Sequence, residues 1–225
     1  MKTISIPVHN RPDTLKQTLA SLANAVGIAD WHICFSCEPC METAPVVRGV
    51  TFCETHIRTN KEKKGCRANT HAAVQFAHDL GSDFNVYVED DIIVSRDALT
   101  LADAFHDSRE SGVLVMRRWH TTQELDKPDI VKPDFHGLLG NGFAWNRDMH
   151  SFLTGHWFVN TPKLPMWDWS VDAGLANARV LCWRPMVNRT TSIGVHGTHC
   201  TNSLDQNLFG PMYEGEPVTQ FKFQL

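Results

Sequence analysis

Two hydrophobic periods alternate along the first half of the chain. Residues 3–8 form an apolar, β-favouring run that predicts a buried strand. Asn10-Arg11-Pro12-Asp13 then opens a helix, because proline suits the first helical position and an acid suits the first turn. Leu15, Leu19, Leu22 and Val26 follow at helical spacing, leaving Lys16, Gln17 and Asn24 for the wet side. Residues 31–36 predict a second strand and residues 50–57 a third. Ala68, Ala72, Phe76 and Leu80 mark one side of the next helix. Residues 86–88 return to strand and end in three acids, the apolar run 92–94 follows, and a helix capped by Ser95 comes after it. This alternation runs to Met116 and predicts an α/β fold in which a mixed, mostly parallel sheet is flanked by helices.

Beyond Arg118 the pattern loosens. Residues 120–136 are polar, contain prolines and predict a long loop that lines or lids a site. Phe143-Ala144-Trp145 reads as a short strand, residues 166–178 as a helix and residues 180–183 as a further strand. Residues 202–225 have no strong period. The division this predicts is one domain over residues 1–225, with a nucleotide-binding half (1–118), an acceptor and catalytic half (119–200) and a tail (201–225).

Composition narrows the classes. With 225 residues and 42% hydrophobic content the chain is long enough for one sizeable core. A formal net charge of -4 provides no broad basic field, so nucleic acid is not a partner that the whole surface would attract. No apolar stretch approaches the length of a signal peptide or membrane span, and the expectation is a cytoplasmic protein. Seven cysteines, an odd number set in apolar segments, suit reduced thiols better than a disulfide framework.

The chemistry centres on Val86-Tyr87-Val88-Glu89-Asp90-Asp91, an apolar strand ending in three consecutive acids. Such a strand delivers carboxylates to the open end of a sheet, where α/β folds bind ligands, and carboxylate oxygens suit Mg²⁺ or Mn²⁺ carrying substrate phosphates. Gly65, Arg67 and Asn69 stand at the amino end of the helix that precedes this strand, a natural anion site. Asp168 lies between Trp167 and Trp169, where partial burial would raise its basicity. Asp172 follows one helical turn later on the same face. His196 and His199 occupy a Gly-rich carboxyl segment.

These motifs resemble the GT-A fold glycosyltransferases that use nucleotide-diphosphate sugars. The amino-terminal part of the likeness is Ile6-Pro7-Val8-His9-Asn10-Arg11, then Asn60 with Gly65, Arg67 and Asn69, then the acidic triplet. Trp167-Asp168-Trp169, the run from Arg184 to Thr190, and Ile193-Gly194 are similar to the N-acetylglucosaminyltransferase I family in particular, although two adjacent acids of that family are reduced here to Asp168 alone. The resemblance implies that Asp91 binds Mn²⁺ or Mg²⁺, with His199 or His196 completing the metal site. It implies that Glu89 and Asp90 contact the nucleotide or support the site, and that Arg11, Glu38, Gly65, Arg67 and Asn69 belong to the nucleotide pocket. Asp168 would then be the base of an inverting transfer, with Asp172 as the alternative. The donor would be a UDP-sugar, and the acceptor a hydroxyl on a saccharide, a protein or a modified DNA base.

Two rival readings arise. A sugar nucleotidyltransferase shares this architecture but uses a glycine-rich loop after its first strand, and residues 7–13 contain no glycine. Cys37, Cys40, Cys53 and His56 are a formal Cys₃His zinc pattern that would suit a binding protein with a structural zinc module.

Overall fold

The computed structural model describes residues 1–119, 122–134, 142–159, 166–194 and 209–225. Its strands are β1 (Lys2–Val8), β2 (His32–Cys37), β3 (Glu54–Thr59), β4 (Phe84–Tyr87), β5 (Ile92–Val94), β6 (Val113–Val115), β7 (Ile130–Asp134), β8 (Phe143–Asn146), β9 (Cys182–Pro185), β10 (Thr190–Ser192) and β11 (Lys222–Phe223). Its helices are α1 (Pro12–Ala23), α2 (Thr43–Arg48), α3 (Cys66–Asp79), α4 (Ala98–Ser108), α5 (His150–His156) and α6 (Trp167–Asn177). One nine-stranded sheet runs in the order β11-β7-β9-β6-β8-β4-β1-β2-β3, and β10 pairs with β5 in a small second sheet.

β1 pairs in parallel with β2 on one side and β4 on the other, and β2 pairs in parallel with β3. β8 runs antiparallel between β4 and β6, and β7 runs antiparallel to β9. The sheet is therefore mixed and mostly parallel, as the alternating periods predict.

Side-chain alternation assigns the two faces. Ile4, Ile6 and Val8 of β1, with Phe84, Val86 and Val88 on and just after β4, pack against Leu15, Leu19 and Leu22 of α1 and Leu101 and Phe105 of α4. Tyr87, Val113, Val115, Phe143 and Trp145 point the other way, onto Val74 of α3 and Leu153, Trp157, Trp167, Val171 and Leu175 around α5 and α6. A buried polar row runs along that second face: Thr3 Oγ1 donates to Asn85 Oδ1 at 2.7 Å, and Asn85 Nδ2 donates to Ser5 Oγ at 2.9 Å. Both partners are satisfied, so the row costs little to bury.

Several local expectations shift. Val26 lies beyond α1 and is exposed. β3 starts at Glu54 because Val50, Phe52 and Cys53 reach the core from a bend instead of a strand. α3 buries Asn69, Ala72, Ala73 and Ala77; Phe76 is half-buried under the Arg58 guanidinium, and Leu80 is exposed past the helix end. Asp97, not Ser95, stands at the start of α4. Inside the predicted loop of residues 120–136, Ile130–Asp134 forms β7, because Ile130 and Val131 bury themselves alongside β9 and β11.

Candidate active site

β1, β2, β3 and β4 run in parallel, so their carboxyl ends converge on one edge of the sheet, where α/β folds place ligands. The main chain turns directly after β4, with the N–H of Ile92 donating to the Glu89 carbonyl at 3.2 Å, and the turn holds the three acids at that edge. Asp90 and Asp91 are 2% and 7% exposed. Arg11, at the entry to α1, spans both: Nη1 donates to Asp91 Oδ2 at 2.5 Å and Nη2 donates to Asp90 Oδ1. The His9 N–H adds a bond to Asp90 Oδ2 at 2.8 Å. Desolvation opposes the Arg11 charge, but Asp90, Asp91 and Glu89 outweigh it and hold its pKa above the ordinary value.

Glu89 faces the aromatic side of the sheet, where Tyr87 Oη donates to its Oε1 at 2.9 Å. Dehydration first, and Asp91 second, push its pKa up to about 8. Burial thus favours the neutral form of this carboxyl. Asp90 is raised as well, by burial, against the lowering influence of Arg11.

α6 carries Asp168 into this region. Trp167, one residue before it, stacks on Trp157 at 4.2 Å between centroids and meets Tyr87 edge-on at 5.3 Å. That packing anchors the first turn of α6 beside the acidic edge. The Asp168 charge contributes to the upward shifts of Glu89, Tyr87 and Cys66. The Asp172 charge instead reaches Cys182 and Arg184. The two acids thus serve different environments although one turn apart. Trp167 belongs to the core, whereas Trp169 is 52% exposed next to Asp168.

The remaining predicted pocket residues take more particular positions. Glu38, 3% exposed, accepts from the N–H groups of Lys64 and Gly65 at 3.0 and 2.8 Å. Its carboxylate organises the loop before α3. Gly65 begins that helix at φ 81°, a left-handed conformation that favours glycine. Asn69 is saturated: Oδ1 accepts from Ser36 Oγ and Asn60 Nδ2 at 3.0 and 2.9 Å, and Nδ2 donates to the Ser36 and Val8 carbonyls at 3.1 and 3.3 Å. It ties the ends of β1 and β2 to the loop. Arg67 sits in the first turn of α3. His196 and His199 lie outside the described residues.

Two members of the site carry no role in the sequence reading. Ile193 donates its N–H to the Asp91 carbonyl at 2.9 Å and so brings Gly194 over the acid. A Cβ on Gly194 would stand 2.1 Å from Asp91 Oδ2 and 3.5 Å from Arg11 Nη1. Only a residue without a side chain fits there. Cys66, the first residue of α3, is the second: although the residue is exposed, partial burial of its thiol, then the charges of Glu89 and Asp168, raise its pKa.

The predicted Cys₃His set does not assemble. Cys37 is buried in the core and Cys53 packs against it, with burial pushing their thiols up to about 12 and about 11. Among the described residues, the cluster of three metal-ligating side chains is His32, Glu54 and His56.

The architecture has solved counterparts. TarS of S. aureus (residues 1–349) superposes with a TM-score of 0.62 at 12% identity, over 86% of this chain and 60% of that one. The fold is GT-A. A mannosyltransferase from Pyrobaculum calidifontis, in complex with GDP-Man and Mn²⁺, matches with a TM-score of 0.58 at 15% identity, over 82% of this chain and 54% of its own. A CMP:2-keto-3-deoxy-manno-octonic acid synthetase complexed with CTP has a TM-score of 0.54 at 14% identity, over 81% of this chain and 88% of its own. The chain thus spans about 60% of the TarS fragment and shares its fold with a mannosyltransferase and with a synthetase complexed with CTP. No protein-family model matches the sequence, and a search of curated proteins returns no match. No helix among the described residues is long and apolar enough to cross a membrane.

Proposed function

We propose that this chain is a glycosyltransferase that moves a sugar from a nucleotide-diphosphate sugar, with a UDP-sugar as donor, to an acceptor hydroxyl with inversion. One observation carries the reading. At the open end of β4, Asp90 and Asp91 share Arg11 beneath a glycine, while Asp168 approaches from a separate helix. A donor-binding centre and a carboxylate of independent origin are what such a transfer needs.

The acids suit a divalent ion. Three carboxyl groups face one guanidinium, and after burial the Asp91 charge is the next cause that raises the Glu89 pKa. Asp91, with Asp90 beside it, would hold Mn²⁺ or Mg²⁺ through hard oxygen donors. When bound, the ion neutralises charge on the departing diphosphate. TarS has been solved with UDP-GlcNAc and the Pyrobaculum enzyme with GDP-Man and Mn²⁺, which supports a nucleotide sugar as the ligand.

The chain's own groups divide the work. Arg67 and the amino end of α3 offer donors to the nucleotide. Asp168 accepts the proton of the acceptor hydroxyl. As that oxygen bonds to the anomeric carbon, the bond from this carbon to the diphosphate oxygen breaks, and the proton stays on Asp168. The acceptor is a saccharide, a protein hydroxyl or a modified DNA base.

Calorimetric titration of a nucleotide-sugar panel with Mn²⁺ tests the assignment. Asp91→Asn should lose metal-dependent donor affinity, and Asp168→Asn should keep it. Loss of donor binding in Asp168→Asn would move the base elsewhere. Nucleotidyl transfer is the second reading, favoured by the CTP-bound synthetase whose length this chain nearly spans.

A further inference from the structure

A second cluster lies at the opposite end of the strands from the acids, on the outer pair β2 and β3. His32 and Glu54 face one another in the register, and His56 follows Glu54 by two residues, so all three side chains emerge on one face. The rings of His32 and His56 lie parallel within 7°, with centroids 5.4 Å apart. His32 Nδ1 stands 3.1 Å from His56 Nε2, and the two Glu54 oxygens are each 3.6 Å from one of those nitrogens.

These spacings match a coordination polyhedron. A tetrahedral ion with metal–nitrogen bonds of 2.0–2.1 Å spaces its ligand atoms about 3.4 Å apart. The separations of 3.1 and 3.6 Å bracket that value. One ligand atom from each of the three side chains lies within 4.8 Å of the others, and all three residues are solvent-accessible, so an ion has a path of entry. Imidazole selects borderline ions such as Zn²⁺ over the hard Mg²⁺ and Mn²⁺ that carboxylates take. The location matters mechanically. Among the described residues β3 is the last strand of the sheet and pairs with β2 alone, so a cross-link between them would hold the edge closed.

We propose that His32, Glu54 and His56 form a His₂Glu site for one Zn²⁺-class ion that staples β3 to β2. It is independent of the donor site and of the glycosyltransferase reading.

The test uses the full chain, stripped with chelator and titrated calorimetrically with Zn²⁺ in excess Mg²⁺ to saturate the acidic edge. One equivalent should bind and raise the thermal midpoint. Glu54→Gln should weaken binding at least about tenfold, and His32→Ala with His56→Ala should weaken it further. Because these side chains are accessible, the variants should keep the parent circular dichroism. Asp91→Asn should leave this Zn²⁺ binding unchanged. Co²⁺ in place of Zn²⁺ should give visible bands of a tetrahedral site that His56→Ala abolishes. Zn²⁺ affinity that survives the double histidine variant would overturn the proposal, as would failure of the parent to bind Zn²⁺ at all. In either case the 3.1 Å contact is only a hydrogen bond between two rings.

Discussion

Replacing Gly194 with alanine probes the proposed donor site without touching a charged group. The new Cβ would lie 2.1 Å from Asp91 Oδ2 and 3.0 Å from Asp91 Cγ. Restoring an ordinary carbon–oxygen contact requires a movement of roughly 1.3 Å. Asp91 has little room to give: it is buried, bonded to Arg11 at 2.5 Å through the same oxygen, and joined through its carbonyl to Ile193. The main chain at Gly194 is not in the left-handed region, so alanine adds no backbone strain there. The cost therefore falls on the position of the carboxylate. Displacing a positioning group by about 1 Å commonly reduces turnover on the order of 10²-fold, and Gly194→Ala should lose at least that much. Stability should fall by only about 1–3 kcal/mol, the usual penalty of local overpacking. The assay follows release of nucleoside diphosphate from the donor with Mn²⁺, beside denaturant unfolding of both proteins. Turnover within about twofold of the parent, in a folded Gly194→Ala protein, would refute the view that this segment clasps the donor-binding acid.

Asp168→Asn should slow transfer by roughly 10²–10⁴-fold at unchanged donor affinity, whereas Asp172→Asn, whose charge reaches Arg184 and Cys182, should be much milder. Glu89 supplies a pH test: its folded pKa of about 8 lies above its ordinary 4.5, so the folded state retains a proton that the unfolded chain releases. That stabilisation is full below the ordinary value and is lost as pH climbs to about 8. Urea midpoints should accordingly fall between mildly acidic and mildly alkaline buffer, and Glu89→Gln should flatten the slope; an equal slope in both proteins would count against the buried proton. Arg189, fully buried and paired with the equally buried Asp97 at 2.9 Å, is the structural counterpart. Arg189→Met strands Asp97 without its partner and should cost about 3–5 kcal/mol in unfolding experiments; a loss under about 1 kcal/mol would deny the pair that role.

The parts of the fold legible in the sequence are those whose burial depends on local pattern. β1, β2 and β4 are buried on both faces and read as apolar runs, and α1 declares itself through its stripe and its proline. β7, β10 and β11 are short strands defined by their partners: Thr190–Ser192 is strand because it lies along β5, and Lys222–Phe223 because it lies along β7. The inward side of α3 was obscured by Asn69, a polar residue that enters the core by bonding to two strand ends. The site followed the same rule. Three acids after a strand are visible as chemistry, and Asp168 between tryptophans is visible as a candidate. That Arg11 forks across Asp90 and Asp91, that the Glu38 carboxylate binds the loop before α3, and that Gly194 covers Asp91 all depend on contacts between residues distant in sequence. The Arg184 to Thr190 motif likewise includes supporting residues: Asn188 Oδ1 accepts from the Arg118 N–H at 2.7 Å, and Arg189 neutralises Asp97.

Product identity tests the central claim most directly. The purified chain, supplied with Mn²⁺, a panel of nucleotide-diphosphate sugars and, separately, nucleoside triphosphates with free sugars, is assayed for the phosphorus species it releases. The account predicts nucleoside diphosphate from at least one nucleotide sugar, with the release abolished in Asp91→Asn. Pyrophosphate released from a triphosphate, with every nucleotide sugar left intact, would contradict it and make the chain a nucleotidyltransferase.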